Sequence, residues 1–194
     1  MPVVIGGQSA QADFDVLGAK ANNNGTGYTK TSHKTTAVAL EFEHKLAKIV
    51  MNVVKPSLTT DSGLTDGDLA NMTLDMTGMK TRNTFSLATG LLGTATDVAA
   101  STPRKATTNA DFLATYDAII MPGTYNNGDI KVVFTTTDGE PFTWTVNGTN
   151  GASNVVFDGG NEYTYDVTLT RTGVKVEGPI KPWKEIDRGD VTAE

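Results

Sequence analysis

The stretch Leu40–Val54, LEFEHKLAKIVMNVV, decides how this chain is to be read. Its approach alternates: Val38, Leu40 and Phe42 fall on one face, Ala39 and Glu41 on the other, the period of two of a half-buried strand. After His44 the phase changes, and Ile49, Met51 and Val53 become the aligned apolar set. A one-residue slip sends every later side chain to the opposite face of a sheet, so a bulge or a single turn must lie at HKLAK. His44 sits at that slip, between Glu43 and Lys45. A metal site would want a second histidine or a carboxylate cluster at ligand spacing, and the other histidine, His33, stands in a loop beside Lys34. A serine nucleophile would want a Gly-framed elbow, and no G-x-S-x-G occurs. His44 therefore reads as a structural residue of the bend, its ring donating to a backbone carbonyl freed by the slip.

Downstream, the alternation specifies two hairpins. Ile130, Val132 and Phe134 alternate on the way in, and Phe142, Trp144 and Val146 on the way out. A two-residue turn at Asp138-Gly139 would put these two apolar sets on opposite sides. A three-residue loop, Thr137-Asp138-Gly139, pairs Phe134 with Phe142 and Val132 with Trp144, with glycine in the left-handed position. The pattern selects the longer loop. In NEYTYDVTLT, Tyr163, Tyr165, Val167 and Leu169 share a face; the chain turns at Arg171-Thr172-Gly173 and returns as VKVEG.

Elsewhere the pattern is coarser. ADFDVLGAK can form one strand, and ANNNGTGYTKTSHK is a loop by composition. PSLTTDSGLTDGDLAN is a loop holding one helical turn around Asp66–Ala70. NMTLDMTGM and TRNTFSLATG read as two strands joined near Gly78. GTATDVAASTPRKATTNAD is loop-like, and Pro103 forbids a central strand there. In LATYDAIIMPGTY the run Ile119-Ile120-Met121 implies burial on both faces. About eight to ten strands, with at most one short helix, point to an all-β sandwich.

Composition removes several function classes. The 194 residues contain no cysteine, which excludes thiolate zinc sites, thiol nucleophiles and disulfides. A formal charge of −6 argues against a nucleic-acid partner, whose phosphates need clustered Lys and Arg. TDSGLTDGDL and FDGGNEY are rich in Asp and Gly, yet neither has the spacing of a calcium loop, and such residues form turns. No catalytic or metal residue is assigned, no cofactor is implied, and a ligand-binding residue is not identifiable. Trp144 alternates in phase with Phe142 and Val146 and reads as core rather than a sugar-stacking platform. The sequons at Asn71 and Asn147 carry no weight alone.

Four segments in order resemble the fimbrillin-like proteins of Bacteroidetes, the pilins of type V fimbriae: LEFEHKLAKIVMNVV, GLTDGDLANMTLDMTGMKTRNTFSLATG, YDAIIMPGTY and FDGGNEYTYDVTLTRTGVKVEGPIKPW. The resemblance covers roughly residues 13–184. It implies a transthyretin-like Greek-key β-sandwich over residues 36–184. Residues 1–35 would be the remnant or edge of a preceding β domain with its linker, and residues 185–194 a C-terminal tail. It also implies a non-enzymatic structural or accessory fimbrial subunit, exported to the cell surface and held at the outer membrane by a lipid anchor on a segment absent from this chain. Its partners would be other pilin subunits, joined by β-strand addition. Ile180 and Trp183 then become candidates for a segment that closes this subunit's own sheet or plugs a neighbour's groove. The competing reading is a surface module that binds a host glycan or protein receptor through the Asn22–Lys34 or Thr94–Asp111 loops.

Overall fold

The computed structural model describes residues 1–21, 40–55, 64–148, 152–170, 173–178 and 180–182. In chain order, β1 (Pro2–Val4) is followed by a 3₁₀ segment, Gln8–Asp13, and by β2 (Leu17–Ala21). The opening stretch forms β3 (Leu40–His44) and β4 (Ala47–Val54). Helix α1 (Asp66–Ala70) precedes the long β5 (Thr73–Ser86), then come β6 (Leu91–Leu92), β7 (Thr96–Ser101) and β8 (Arg104–Ala106). Next are β9 (Phe112–Ile120), β10 (Gly123–Asn126), β11 (Lys131–Thr135) and β12 (Pro141–Thr145). Strands β13 (Asn154–Phe157), β14 (Asn161–Thr170), β15 (Gly173–Glu177) and β16 (Ile180–Pro182) complete the set.

Two six-stranded sheets face each other. The first is built on β5, where Met76 pairs with both Val132 and Ser101, and Arg82 with both Val4 and Thr96. Strands β11 and β1 therefore lie on one side of β5 and β7 on the other, with β12 beyond β11. The second sheet runs β15-β14-β4-β9-β8, with β16 also on β14. Within it β4 and β14 are parallel, and the other pairings are antiparallel. Two small ribbons, β10–β13 and β2–β3, stand apart. The chain is an all-β sandwich.

Alternation explains the core. Ile49, Met51 and Val53 of β4, Ala118 and Ile120 of β9, and Val167 and Leu169 of β14 meet Leu74, Met76, Val132 and Phe134 of the opposite sheet in one buried cluster. A second cluster joins Val3, Val16, Leu46, Phe85, Ile119 and Met121. Ile119 points away from the main core, so residues near the start of the chain bury the outer side of β9 there. The Ile119-Ile120-Met121 run is thus buried on both faces. The Gln8 side chain fastens this arrangement: its Nε2 donates to the Ile119 carbonyl at 3.1 Å, and its Oε1 accepts from the Ile119 N–H at 2.9 Å. One amide takes the place of a strand neighbour.

The phase slip is absorbed between β3 and β4, at Lys45-Leu46, where the chain leaves the ribbon and enters the second sheet. The 130–146 hairpin has the selected register, Val132 opposite Trp144 and Phe134 opposite Phe142, with Gly139 at φ +86°. Trp144 is partly buried against the main cluster and stacks obliquely on Tyr165, 4.8 Å between centroids. The helical turn at Asp66–Ala70 forms with a capping box, the Thr65 hydroxyl accepting from the Asp68 N–H and the Asp68 carboxylate accepting from the Thr65 N–H.

Four expectations need correction. Sixteen strands are described rather than eight to ten, because several are two to four residues long and carry too little pattern to be read. The two strands expected around Gly78 are one, β5: Gly78 takes φ +83° at a register shift between Met76 and Met79, so it bulges the strand rather than ending it. The 94–111 segment is not simply loop. It contains β7 and β8, and Pro103 sits between them, where the chain passes from the edge of one sheet to the edge of the other. In ADFDVLGAK, only Leu17–Ala21 extends as a strand, with 3₁₀ turns before it.

Candidate functional site

His44 ends β3, and its Nδ1 lies 2.8 Å from Oδ2 of Asp15, with both side chains largely buried. The ring thus meets a carboxylate contributed by the segment that leads into β2. At the bend the Leu46 carbonyl oxygen accepts from the Gly160 N–H at 2.8 Å. A Cβ on Gly159 would stand 2.5 Å from the Lys45 carbonyl oxygen, and one on Gly160 3.1 Å from that of His44. The glycines of FDGGNEY let β14's entry lie against the β3–β4 bend. The Lys45 N–H completes the joint by donating to the Val16 carbonyl at 2.8 Å.

The carboxylates likewise have structural partners. Asp68 of TDSGLTDGDL caps α1 and accepts from the Thr137 hydroxyl at 3.1 Å, and these hydrogen bonds, that of Thr65 first, hold its carboxyl below the usual range. Residues 56–63 of that loop lie outside the described residues. Asp117 on β9 is buried and receives the Arg104 fork at 3.0 and 2.7 Å and the Gln11 amide at 3.0 Å. The hydrogen bond to Asp117 in turn raises the Arg104 pKa. Lys48 reaches Glu162 at 3.0 Å and Asp117 at 3.9 Å. This network ties β8, β9, β4, β14 and the 3₁₀ segment together on the outer face of the second sheet. Among the described residues no three His, Cys, Asp or Glu side chains gather as metal ligands.

What remains is surface. Strand β7 pairs with β5, and its residues Thr96 to Ala100 are exposed, Val98 to 66%. Among the described residues it is an edge strand, and its Asp97 carboxylate is engaged by Arg82 at 2.8 Å. Sequence reading missed this edge because TDVAAS buries neither face and so shows no alternation. The ribbon is the second exposed feature. Cross-strand pairs Leu17–His44, Ala19–Phe42 and Ala21–Leu40 place Leu17, Phe42 and Leu40 on one face, 42%, 55% and 50% exposed. The apolar face expected to be half-buried in a sheet is turned outward, because β3 pairs with β2 in a ribbon of its own. Val38, His33 and the whole of the Asn22–Lys34 loop lie outside the described residues. Ile180 begins β16, its backbone opposite Tyr163 of β14; Trp183 lies outside the described residues.

This sandwich can be compared with known proteins. A fimbrillin-like family model matches residues 2–183. The chain belongs to the fimbrillin-like family. A Bacteroides uniformis protein named as a fimbrium subunit, Fim1C, is 30% identical over 187 residues, which cover 95% of this chain and 56% of that protein. The crystal structure of a protein described as a cell adhesion protein, also from Bacteroides uniformis, superposes with a TM-score of 0.71 at 26% identity, covering 95% of this chain and 66% of the other. A second, from Bacteroides ovatus, shares the fold at TM-score 0.54 and 17% identity, covering 88% and 62%. This fimbrillin-like chain thus spans somewhat over half the length of the curated relative it matches.

Proposed function

We propose that this fimbrillin-like chain is a non-enzymatic subunit of a cell-surface fimbrium and joins other fimbrial subunits by β-strand addition. The observation that carries the reading is the family match over nearly the whole chain. The exposed edge of β7 supports the finer part. An unpaired strand edge offers a row of N–H and C=O groups to an incoming strand, and main-chain hydrogen bonds then supply the affinity. β16 already closes against β14, so the backbone at Ile180 supports the sheet-closing role over the plug.

The test is assembly. Val98→Lys places a charge on an exposed position of the β7 edge and leaves the core untouched. Purified V98K is expected to remain folded but no longer to enter fibres or compete for them. Fibre incorporation equal to that of the parent chain would remove β7 as the acceptor edge. Absence of the parent chain from fibres isolated from its own cells would remove the fimbrial role itself.

The name borne by the 26% identical structure favours a recognition role as a second reading, in which the same fibre presents a surface to a host glycan or protein. A glycan array probed with the full chain tests it. Binding to one sugar class, abolished by alterations in the 94–111 segment, supports that role, and a flat array opposes it.

A further inference from the structure

An asparagine followed by glycine carries a chemical liability. The glycine's backbone nitrogen attacks the asparagine side-chain carbonyl carbon and closes a succinimide ring, with loss of ammonia. Water then opens the ring at either carbonyl and leaves aspartate or isoaspartate. Glycine favours closure because it has no Cβ to hinder the approach. The step occurs in this chain at Asn24, Asn127, Asn147 and Asn150. Those at Asn24 and Asn150 lie outside the described residues.

The other two steps meet in space. Asn127 follows β10, and Asn147 lies just beyond β12. The Asn127 Nδ2 donates to the Ala152 carbonyl at 2.7 Å, and its Oδ1 accepts from the Gly148 N–H at 2.7 Å. The Gly128 N–H donates to the Val146 carbonyl at 3.2 Å. Ring closure at Asn127 therefore needs both its own amide and the attacking nitrogen released. Closure at Asn147, an exposed residue, needs the Gly148 nitrogen released, and Asn127 is what holds it. Neither glycine exchanges freely for another residue. Gly128 has φ +85°, and a Cβ on Gly148 would collide with the Asn154 backbone. The fold thus requires a reactive step at both places, and one amide restrains them.

We propose that Asn147 is a latent deamidation site of this chain, kept unreacted by the hydrogen bond from the Gly148 N–H to the Asn127 side chain. When that bond opens, the Gly148 nitrogen loses its proton to solvent base and attacks Cγ of Asn147. Ammonia leaves, and water converts the succinimide to aspartate or isoaspartate. Either product adds a negative charge. Isoaspartate also adds a carbon to the backbone beside Gly148, which has no room to move toward Asn154. Deamidation there unseats the joint between the end of β12 and the start of β13. The chemistry is the chain's own and does not rest on the fimbrial reading.

Peptide mapping of the full chain after incubation at mildly alkaline pH reads the conversion at each step. In the folded parent, Asn147 is expected to convert about tenfold more slowly than in the same chain in concentrated urea, the factor that one hydrogen bond's net worth makes in a rate. Asn127→Leu keeps the size and removes the acceptor, and is expected to abolish most of that protection. Asn127→Asp keeps an acceptor and is expected to retain it. Circular dichroism checks that both variants fold. In the parent, the Gly148 amide should also exchange its hydrogen slowly, a readout that needs no variant. Conversion of Asn147 in the folded parent at the urea rate, or a fast-exchanging Gly148 amide, would overturn the proposal. So would a folded N127L chain whose Asn147 stays as protected as the parent's. Should Asn127→Leu fail to fold, the parent's folded-to-urea ratio and the Gly148 exchange still decide.

Discussion

His44 Nδ1 and Asp15 Oδ2 lie 2.8 Å apart, and this contact clasps the point where the chain changes sheets. Asp15 enters β2, His44 leaves β3, and three residues later β4 begins in the second sheet. Replacing His44 by Ala removes that contact, and the loss of a buried polar contact costs about 1–3 kcal/mol. Chemical denaturation should show H44A destabilised by that order with the fold retained, and Asp15→Asn should lose less because the amide still accepts. An H44A protein of parental stability would mean that the contact contributes nothing to the joint.

The glycines make a graded prediction. Gly139 has φ +86° with open space around its α-carbon, so Gly139→Ala meets only the left-handed backbone cost of about 1–2 kcal/mol. At Gly78, with φ +83°, a Cβ would also collide with the Asp129 backbone. At Gly159 it would press on the Lys45 carbonyl. Backbone cannot swing aside as a side-chain end can, and overpacking adds roughly 1–3 kcal/mol. Thermal denaturation should therefore rank the loss as Gly78→Ala greatest and Gly139→Ala mild. Equal losses at the two sites would show that the bulge is not held against Asp129.

Gln8 substitutes for a strand beside Ile119, using both ends of its amide. Gln8→Ala leaves one donor and one acceptor of a buried backbone without those partners. The expected cost is about 1–3 kcal/mol, with hydrogen exchange at the Ile119 amide accelerated more than at its neighbours in β9. Unchanged protection at Ile119 would mean that residues 8–13 do not hold β9's outer side.

How much of this was legible in the sequence follows from where burial is one-sided. The 130–146 hairpin was readable to its register, because alternation on both arms left one loop length compatible with a shared face. The β3–β4 slip was readable for the same reason. Leu40 and Phe42 were placed on the right common face but assigned the wrong surroundings, since periodicity shows which side chains share a face and not whether another layer covers it. β7 was illegible because a strand exposed on both faces has no period. Asp15 as the partner of His44 could not be found by spacing at all: the two are brought together by the pairing of Leu17 with His44, a tertiary fact. Asp117 with Arg104 and Gln11 is of the same kind.

Alkaline titration offers the sharpest test of the core. Burial pushes the phenols of Tyr116, Tyr125 and Tyr165 up from 10.0 to about 12. The Tyr116 hydroxyl donates to the Met72 carbonyl at 2.6 Å and that of Tyr125 to the Met121 carbonyl at 2.9 Å. Below pH 10 these phenols are protonated whether the chain is folded or not, and their contribution to stability is fully present. Above it the unfolded chain ionises first, so that contribution falls as pH rises from about 10 to about 12. Near-ultraviolet absorbance of the folded protein should show these three phenols as a late-titrating group, released together when alkali unfolds the sandwich. Tyr116→Phe should remove one phenol from that group and cost about 1 kcal/mol, the net worth of one hydrogen bond. If these three phenols ionised near their ordinary pKa while the protein stayed folded, their rings would be in water, and the two sheets could not be packed as described.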